Sequence, residues 1–184
     1  ASGHVPSENK LGDAIIAATF TPGTRLEQAN LTSVTALILD IDGGRRKNGV
    51  FIPDTTPVEW FIDKLPYAGI AHTSYSHAPD KPKFRLIFPL EKPITVEEHH
   101  RLWSYIHRLV EEKPDPSCKN PDRLFFMPRA SPTAIASGWP WTRVLEGTWL
   151  SMEAVPESFH LADSQAVAIP SPEASAPLAP PATL

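Results

Sequence analysis

The chain has a single cysteine, Cys118, which excludes an internal disulfide and any zinc site built on cysteine. It has no apolar run long enough to span a bilayer and no visible signal peptide, so the expectation is a soluble cytoplasmic protein without a membrane partner. Positive charge is missing from the C-terminal stretch. From Ser151 onward there are four acids (Glu153, Glu157, Asp163, Glu173) and no Lys or Arg. Residues 1–150 therefore hold 17 charges of each sign, and the formal net charge of −4 belongs to the end of the chain.

What is present suits one ordinary core: 184 residues, 41% of them hydrophobic. Much of the proline excess over average usage lies in Ala168 to Ala182, which holds five of the 21 prolines and, lacking periodicity, reads as a disordered tail or linker. The expected division is an N-terminal extension over 1–33, a globular domain over 34–160 and a tail over 161–184. A chain that starts on Ala and closes on such a tail reads as a domain cut from a longer protein.

Val34 to Ile41 is apolar on both faces until Asp40, as in a central strand. Gly43 to Pro53, with Arg45, Arg46 and Lys47, reads as a flexible basic loop. Thr56-Pro57-Val58-Glu59 has the form of a capping box, and Val58, Phe61, Ile62 and Leu65 follow at helical spacing. Gly69 to Ser74 and Lys83 to Pro89 read as strands two and three, the latter with Phe84, Leu86 and Phe88 on one face. A second capping box, Thr95 to Glu98, opens the longest helix, with Leu102, Trp103, Ile106, Leu109 and Val110 as its buried stripe. His99-His100 is expected on the exposed face of that helix. Arg123 to Met127 is a fourth strand, and Trp141 to Leu145 with Thr148 to Leu150 a small terminal strand pair, packed by Trp139, Trp141 and Trp149. The resulting order, β-α-β-β-α-β, is that of an α+β fold of the RRM-like or ferredoxin-like type, with its helices on one face of the sheet.

The chemistry centres on Asp40-Ile41-Asp42. Residues two apart on a strand share a face, so the two carboxylates repel one another unless a hard divalent cation lies between them. An Asp-rich turn at a strand end is the bland alternative. In the expected topology Arg85 on strand three, and Asp115 and Arg123 before strand four, converge with this pair on the open face. Local positive charge at Lys81, Lys83, Arg85, Lys119, Arg123 and Arg129 beside an acidic pair suits a ligand that carries phosphate.

These segments resemble, in order and spacing, the archaeo-eukaryotic primase superfamily, in particular the primase-polymerase cores of plasmids, phages and integrated elements. The apolar run ending in Asp40-Ile41-Asp42 resembles the family's first metal motif. His72 to Leu90 resembles its second, nucleotide-binding motif, and Asp115-Pro116-Ser117 with Pro121 to Arg129 the third metal acid and the strand after it. The resemblance implies a divalent-metal-dependent nucleotidyltransferase, a DNA primase or primase-polymerase acting in the replication of a mobile element. Asp40, Asp42 and Asp115 would hold two Mg²⁺ or Mn²⁺ ions as the catalytic centre. His77, Arg85 and Arg123 would bind the nucleotide, with Ser76, Lys83, Lys81 and Arg129 as further candidates. Implied partners are single-stranded DNA template, NTP or dNTP, and a replicative helicase domain or protein, with association to the nucleoid during replication. The second motif departs from the family, because its Ser-x-His strand position carries Lys83-Phe84-Arg85 here and Ser76-His77 lies upstream. Arg85, His77 or both take the phosphate role.

Three other classes compete. A haloacid-dehalogenase-like phosphatase also ends a strand in D-x-D-G, but needs a later acidic motif and alternating strands and helices. A non-catalytic RRM-like binder of single-stranded nucleic acid, or a replication-initiator module, needs aromatic residues on the open face of strand three. Rolling-circle nucleases need His-hydrophobic-His and a Tyr nucleophile, neither suitably placed here.

Overall fold

The computed structural model describes residues 3–47 and 50–159, so the expected tail over 161–184 lies outside the described residues. Its strands are β1 (Val5–Pro6), β2 (Ala14–Ile15), β3 (Ala18–Phe20), β4 (Leu31–Ile41), β5 (Gly44–Lys47), β6 (Val50–Pro53), β7 (Gly69–Thr73), β8 (Phe84–Ile94), β9 (Phe125–Phe126), β10 (Arg129–Ala130) and β11 (Thr142–Leu145). Helix α1 (Val58–Lys64) joins β6 to β7, α2 (Val96–Leu109) follows β8, and the short α3 (Pro132–Ala136) follows β10.

The principal sheet has the order β11-β7-β8-β4-β3, and every neighbouring pair is antiparallel. Period-two alternation on β4 and β8 builds its core. Leu37, Leu39 and Ile41 stand opposite Phe88, Leu86 and Phe84 across the ladder, and all six are buried. Phe61 of α1 meets Phe84 edge-on, with ring centroids 5.5 Å apart. Helix α2 adds Leu102, Trp103 and Ile106 to the same core. Each such fully buried side chain is worth about 1.5–3 kcal/mol, and the sheet and helix faces are held together mainly by this burial. Helix α2 starts where its capping box predicts: Thr95 Oγ1 accepts from the Glu98 N–H at 3.2 Å, and the Thr95 N–H donates to Glu98 Oε2 at 2.8 Å.

Several expectations are corrected. The central order β7-β8-β4 is that of strands two, three and one of the split motif, but the fourth strand does not flank the first. Instead β3, from the N-terminal extension, pairs with the first half of β4. Beside the second half, the Asp115 N–H donates to the Asp40 carbonyl at 2.8 Å. Between Pro121 and Pro128, neither of which has an N–H to give to a ladder, only Phe125–Phe126 is extended, and it pairs with β2.

The basic stretch 44–53 is a two-stranded hairpin, β5 against β6, with Lys47 opposite Val50. The first capping box does not form. Pro57 caps α1 without a side-chain bond, and Thr56 gives its N–H and its hydroxyl to the Asp54 carboxylate, a charged and therefore stronger acceptor. Residues 141–150 make no terminal hairpin: β11 extends the main sheet along β7, while Thr148 and Leu150 bridge to Tyr67 and Leu90. Finally, His99 is buried, with no partner for its Nδ1, because it faces inward one turn before Trp103.

Candidate functional site

The sheet face opposite the aromatic core carries a polar row at one end. In register across three strands stand His72 on β7, Arg85 on β8 and Asp40 on β4. Alternation explains the row, since Phe84 and Leu86 on one face of β8 put Arg85 on the other. The chain folds segment 123–129 over this end, turning an open sheet face into a cleft of about 280 Å³. Asp40, Asp42, His72, Ser74, Ser76, Lys83, Arg85, Arg123 and Arg129 line it, together with Lys10 and Tyr75.

Every acid of interest is held by a base. Arg85 grips the Asp40 carboxylate with two donors, Nε at 3.1 Å from Oδ1 and Nη2 at 3.3 Å from Oδ2. Its third donor, Nη1, binds the Phe126 carbonyl at 2.9 Å and ties the covering segment to the sheet. Burial pushes the Asp40 carboxyl above the usual carboxylate range, opposed by the Arg85 guanidinium and reinforced by the neighbouring charge of Asp42. Lys83 Nζ lies 2.9 Å from Asp42 Oδ1. Arg123 Nη2 lies 3.3 Å from Asp115 Oδ2, and Arg123 also bonds the Ser117 hydroxyl.

Asp115 caps the 3₁₀ turn Pro116–Lys119, accepting the Ser117 N–H at 2.9 Å and the Ser117 hydroxyl at 2.6 Å. Its side chain lines a second, wider cleft of about 590 Å³ with Gly44, Lys81, His107 and Lys113. Asp42 and Lys83 line both clefts and form the wall between them. Among the described residues no three His, Cys, Asp or Glu side chains are grouped to hold a metal ion. Asp115 stands next to Asp40 along the backbone, but its carboxylate is turned to its own turn and to Arg123. Asp40 and Asp42 line the same cleft, and the buried Asp40 carboxylate has its positive partner in Arg85.

The remaining candidates separate cleanly. Of the two expected phosphate ligands in the second motif, Arg85 lines the cleft. His77 is not among its lining residues: its Nδ1 accepts the Lys83 N–H at 3.1 Å, and its ring stands edge-on to Trp141, which fixes the turn between β7 and β8. Ser76 and Arg129 line the cleft, while Lys81 lines the second one. Residue-by-residue reading passed over His72, although alternation with Arg85 was available as a signal. Burial pushes its imidazole down to about 4, so it is neutral at physiological pH. It bonds the Thr73 carbonyl through Nδ1 at 3.0 Å, and His4 binds the same carbonyl at 2.8 Å. Lys10 and Tyr75 were also passed over. They meet the cleft because the N-terminal segment runs beside it, with β1 against β10 and the Tyr75 hydroxyl donating to the Ser7 carbonyl at 3.3 Å.

The all-antiparallel principal sheet is not the parallel, helix-alternating architecture that a dehalogenase-like phosphatase requires. On the cleft face β8 carries Arg85, Ile87 and Pro89, with none of the aromatic residues that RRM-type base stacking uses.

Comparison with known proteins covers most of the chain. The family model described as the VapE N-terminal domain matches residues 13–165. No curated protein matches. Among solved structures, the AEP domain of the cyanophage S-2L primase-polymerase (PrimPol) is similar, at 15% identity and a TM-score of 0.50. That match covers 77% of this chain and 66% of that one, so this chain spans slightly less than two thirds of it. At this identity the likeness is one of fold.

Proposed function

The chain belongs to the VapE N-terminal domain family, and from that premise we propose that it is a primase-type nucleotidyltransferase, joining nucleotides on a single-stranded DNA template during replication of a mobile element. The observation that carries this reading is the pairing of each carboxylate with a base: Asp40 with Arg85, Asp42 with Lys83 and Asp115 with Arg123. A nucleoside triphosphate arriving with a divalent cation offers each partner a better match. Asp40 and Asp42 would hold the cation, which supplies neutralisation of the charge that builds on the leaving pyrophosphate. Lys83, Arg85 and Arg123, released from the carboxylates, would turn to the phosphates, and Arg129 would add charge at the cleft wall. Arg85 suits this best, because its planar fork of donors matches phosphate as well as carboxylate. In the transfer a strand hydroxyl would give its proton to water and attack the α-phosphorus, so that a new phosphodiester bond forms as the bond to pyrophosphate breaks and pyrophosphate leaves. Asp115 would join the cation site after its release from Arg123.

The test is incorporation of labelled nucleotide on a single-stranded template with Mn²⁺ or Mg²⁺, comparing the parent protein with Asp40→Asn and Asp42→Asn. Incorporation that needs the metal and is lost in both variants is expected. A parent protein that binds single strands equally well in EDTA and extends nothing would overturn the reading in favour of a binding module.

A further inference from the structure

The two clefts differ in charge in a way that assigns them to different substrates. The first gathers Lys10, Lys83, Arg85, Arg123 and Arg129 against only Asp40 and Asp42, an excess of positive charge suited to a compact triphosphate. The second is about twice as large and nearly balanced, with Lys81, Lys83 and Lys113 against Asp42, Glu112 and Asp115. Such balance is poor for a triphosphate and adequate for a strand that carries one charge per nucleotide.

The surroundings of the second cleft add what its lining lacks. Gly44, at its edge, is the first residue of the β5–β6 hairpin, whose sequence from Gly43 to Pro53 includes Arg45, Arg46 and Lys47 and no acid. Among the described residues β5 and β6 pair with each other and with no other strand. The root of the hairpin is fixed against the Lys81 turn. A Cβ on Gly43 would lie 2.9 Å from the Pro82 carbonyl oxygen and 3.1 Å from Lys81 Cγ, an approach only glycine allows, and Gly43 has φ +67°. Lys81 is thereby packed at the root from which β5 starts, and the sequence of β5 carries Arg45, Arg46 and Lys47. A lone two-stranded ribbon has little core of its own, and Val50 and Ile52 on β6 are exposed, so the hairpin gains most by lying against a partner.

We propose that the second cleft, with Lys81 and the β5–β6 hairpin as its basic arm, holds the backbone of the single-stranded nucleic acid, so that strand and nucleotide reach the Asp42–Lys83 wall from opposite sides. This rests on the nucleotidyl-transfer reading and gives its second substrate a place. The occupant is a polyanionic strand because the arm offers positive charge and apolar contact, the pairing that backbone-tracking sites for single strands use.

The experiment measures two affinities on the same full chain: fluorescence anisotropy of a labelled oligodeoxythymidylate over a salt series, and the thermal shift produced by Mn²⁺ with a nucleoside triphosphate. Removing the arm's charge in R45A/R46A/K47A/K81A should weaken oligonucleotide binding at least about tenfold and lower the salt slope by about 3, near 0.7 for each lost phosphate contact. The nucleotide shift should stay as in the parent. Arg129→Ala, in the first cleft, should show the reverse. A quadruple variant with the parent's affinity and slope overturns the proposal, as does a variant that loses nucleotide and oligonucleotide equally, or a parent chain that binds no oligonucleotide. A parent that binds the oligonucleotide through the arm but gives no nucleotide shift leaves the strand cleft standing and refutes the transferase reading alone.

Discussion

Replacing Arg85 by Gln isolates the electrostatics on which the cleft depends. The two side chains of the Asp40–Arg85 pair are 11% and 12% exposed, so losing the guanidinium leaves a carboxylate with little water to replace it. Breaking a buried pair from one side costs about 3–5 kcal/mol. The acid has an escape, however: it can take up a proton. Neutralising at pH 7 a group whose ordinary value is 3.8 costs about 4 kcal/mol, which caps the electrostatic loss, and the same escape at pH 5 costs about 2 kcal/mol.

Arg85→Gln should therefore lose roughly 3–4 kcal/mol at pH 7, or roughly 6–16 °C in Tm for a domain of this size, and about half as much at pH 5. The direction follows from linkage. Without Arg85 the Asp40 carboxyl rises further above its unfolded value, and such a group favours the fold at low pH and loses that contribution as pH rises. A cation that takes the guanidinium's place should restore stability, by about 2.7 kcal/mol when its concentration is a hundredfold above Kd. In the parent the same cation must first displace Arg85, so Mn²⁺ should raise the Tm of the variant by more than that of the parent. Calorimetry at pH 5 and 7, with and without Mn²⁺, measures all three quantities. A deficit under about 1 kcal/mol, a deficit independent of pH, or an equal response of both proteins to Mn²⁺ would refute the reasoning.

Acid should also destabilise the parent through its buried histidines. Burial pushes both His72 and His99 to about 4, against 6.5 when unfolded. Their contribution is complete above pH 6.5 and is lost as pH falls toward 4, at about 2 kcal/mol each by pH 5. Urea midpoints should record this loss, and His99→Leu should remove about half of it without weakening the protein at pH 7, where it deletes a buried nitrogen that has no partner. An identical acid response in parent and variant counts against the assignment. At Gly69, a Cβ would stand 2.4 Å from the Ile87 carbonyl oxygen and 3.0 Å from Phe88 Cδ1 within the β7–β8 ladder. Gly69→Ala should cost about 1–3 kcal/mol, visible as a lower denaturant midpoint, and an unchanged midpoint would contradict the packing described.

The sequence by itself determined the elements whose signals are local and periodic. Alternation placed Leu37, Leu39 and Ile41 on one face of β4 and Asp40 on the other, and opposed Phe84 and Leu86 to Arg85 on β8. The Thr95–Glu98 box set the start of α2, since both partners of that cap lie within one turn. What tertiary structure decided were the choices among competing partners. The neighbour of β4 was open between the segment at 123–127 and the N-terminal extension, and proline at 121 and 128 left only two residues of the former extended. The cleft followed from that outcome. Segment 123–129, released from the sheet edge, lies over Asp40 and Arg85 and brings Arg123 and Arg129 with it. Asp115, whose backbone is beside Asp40, spends its carboxylate on Ser117 and Arg123. No spacing along the chain encodes which base an acid will meet, because that depends on how deeply each charge is buried and on which cation the folded chain carries to it.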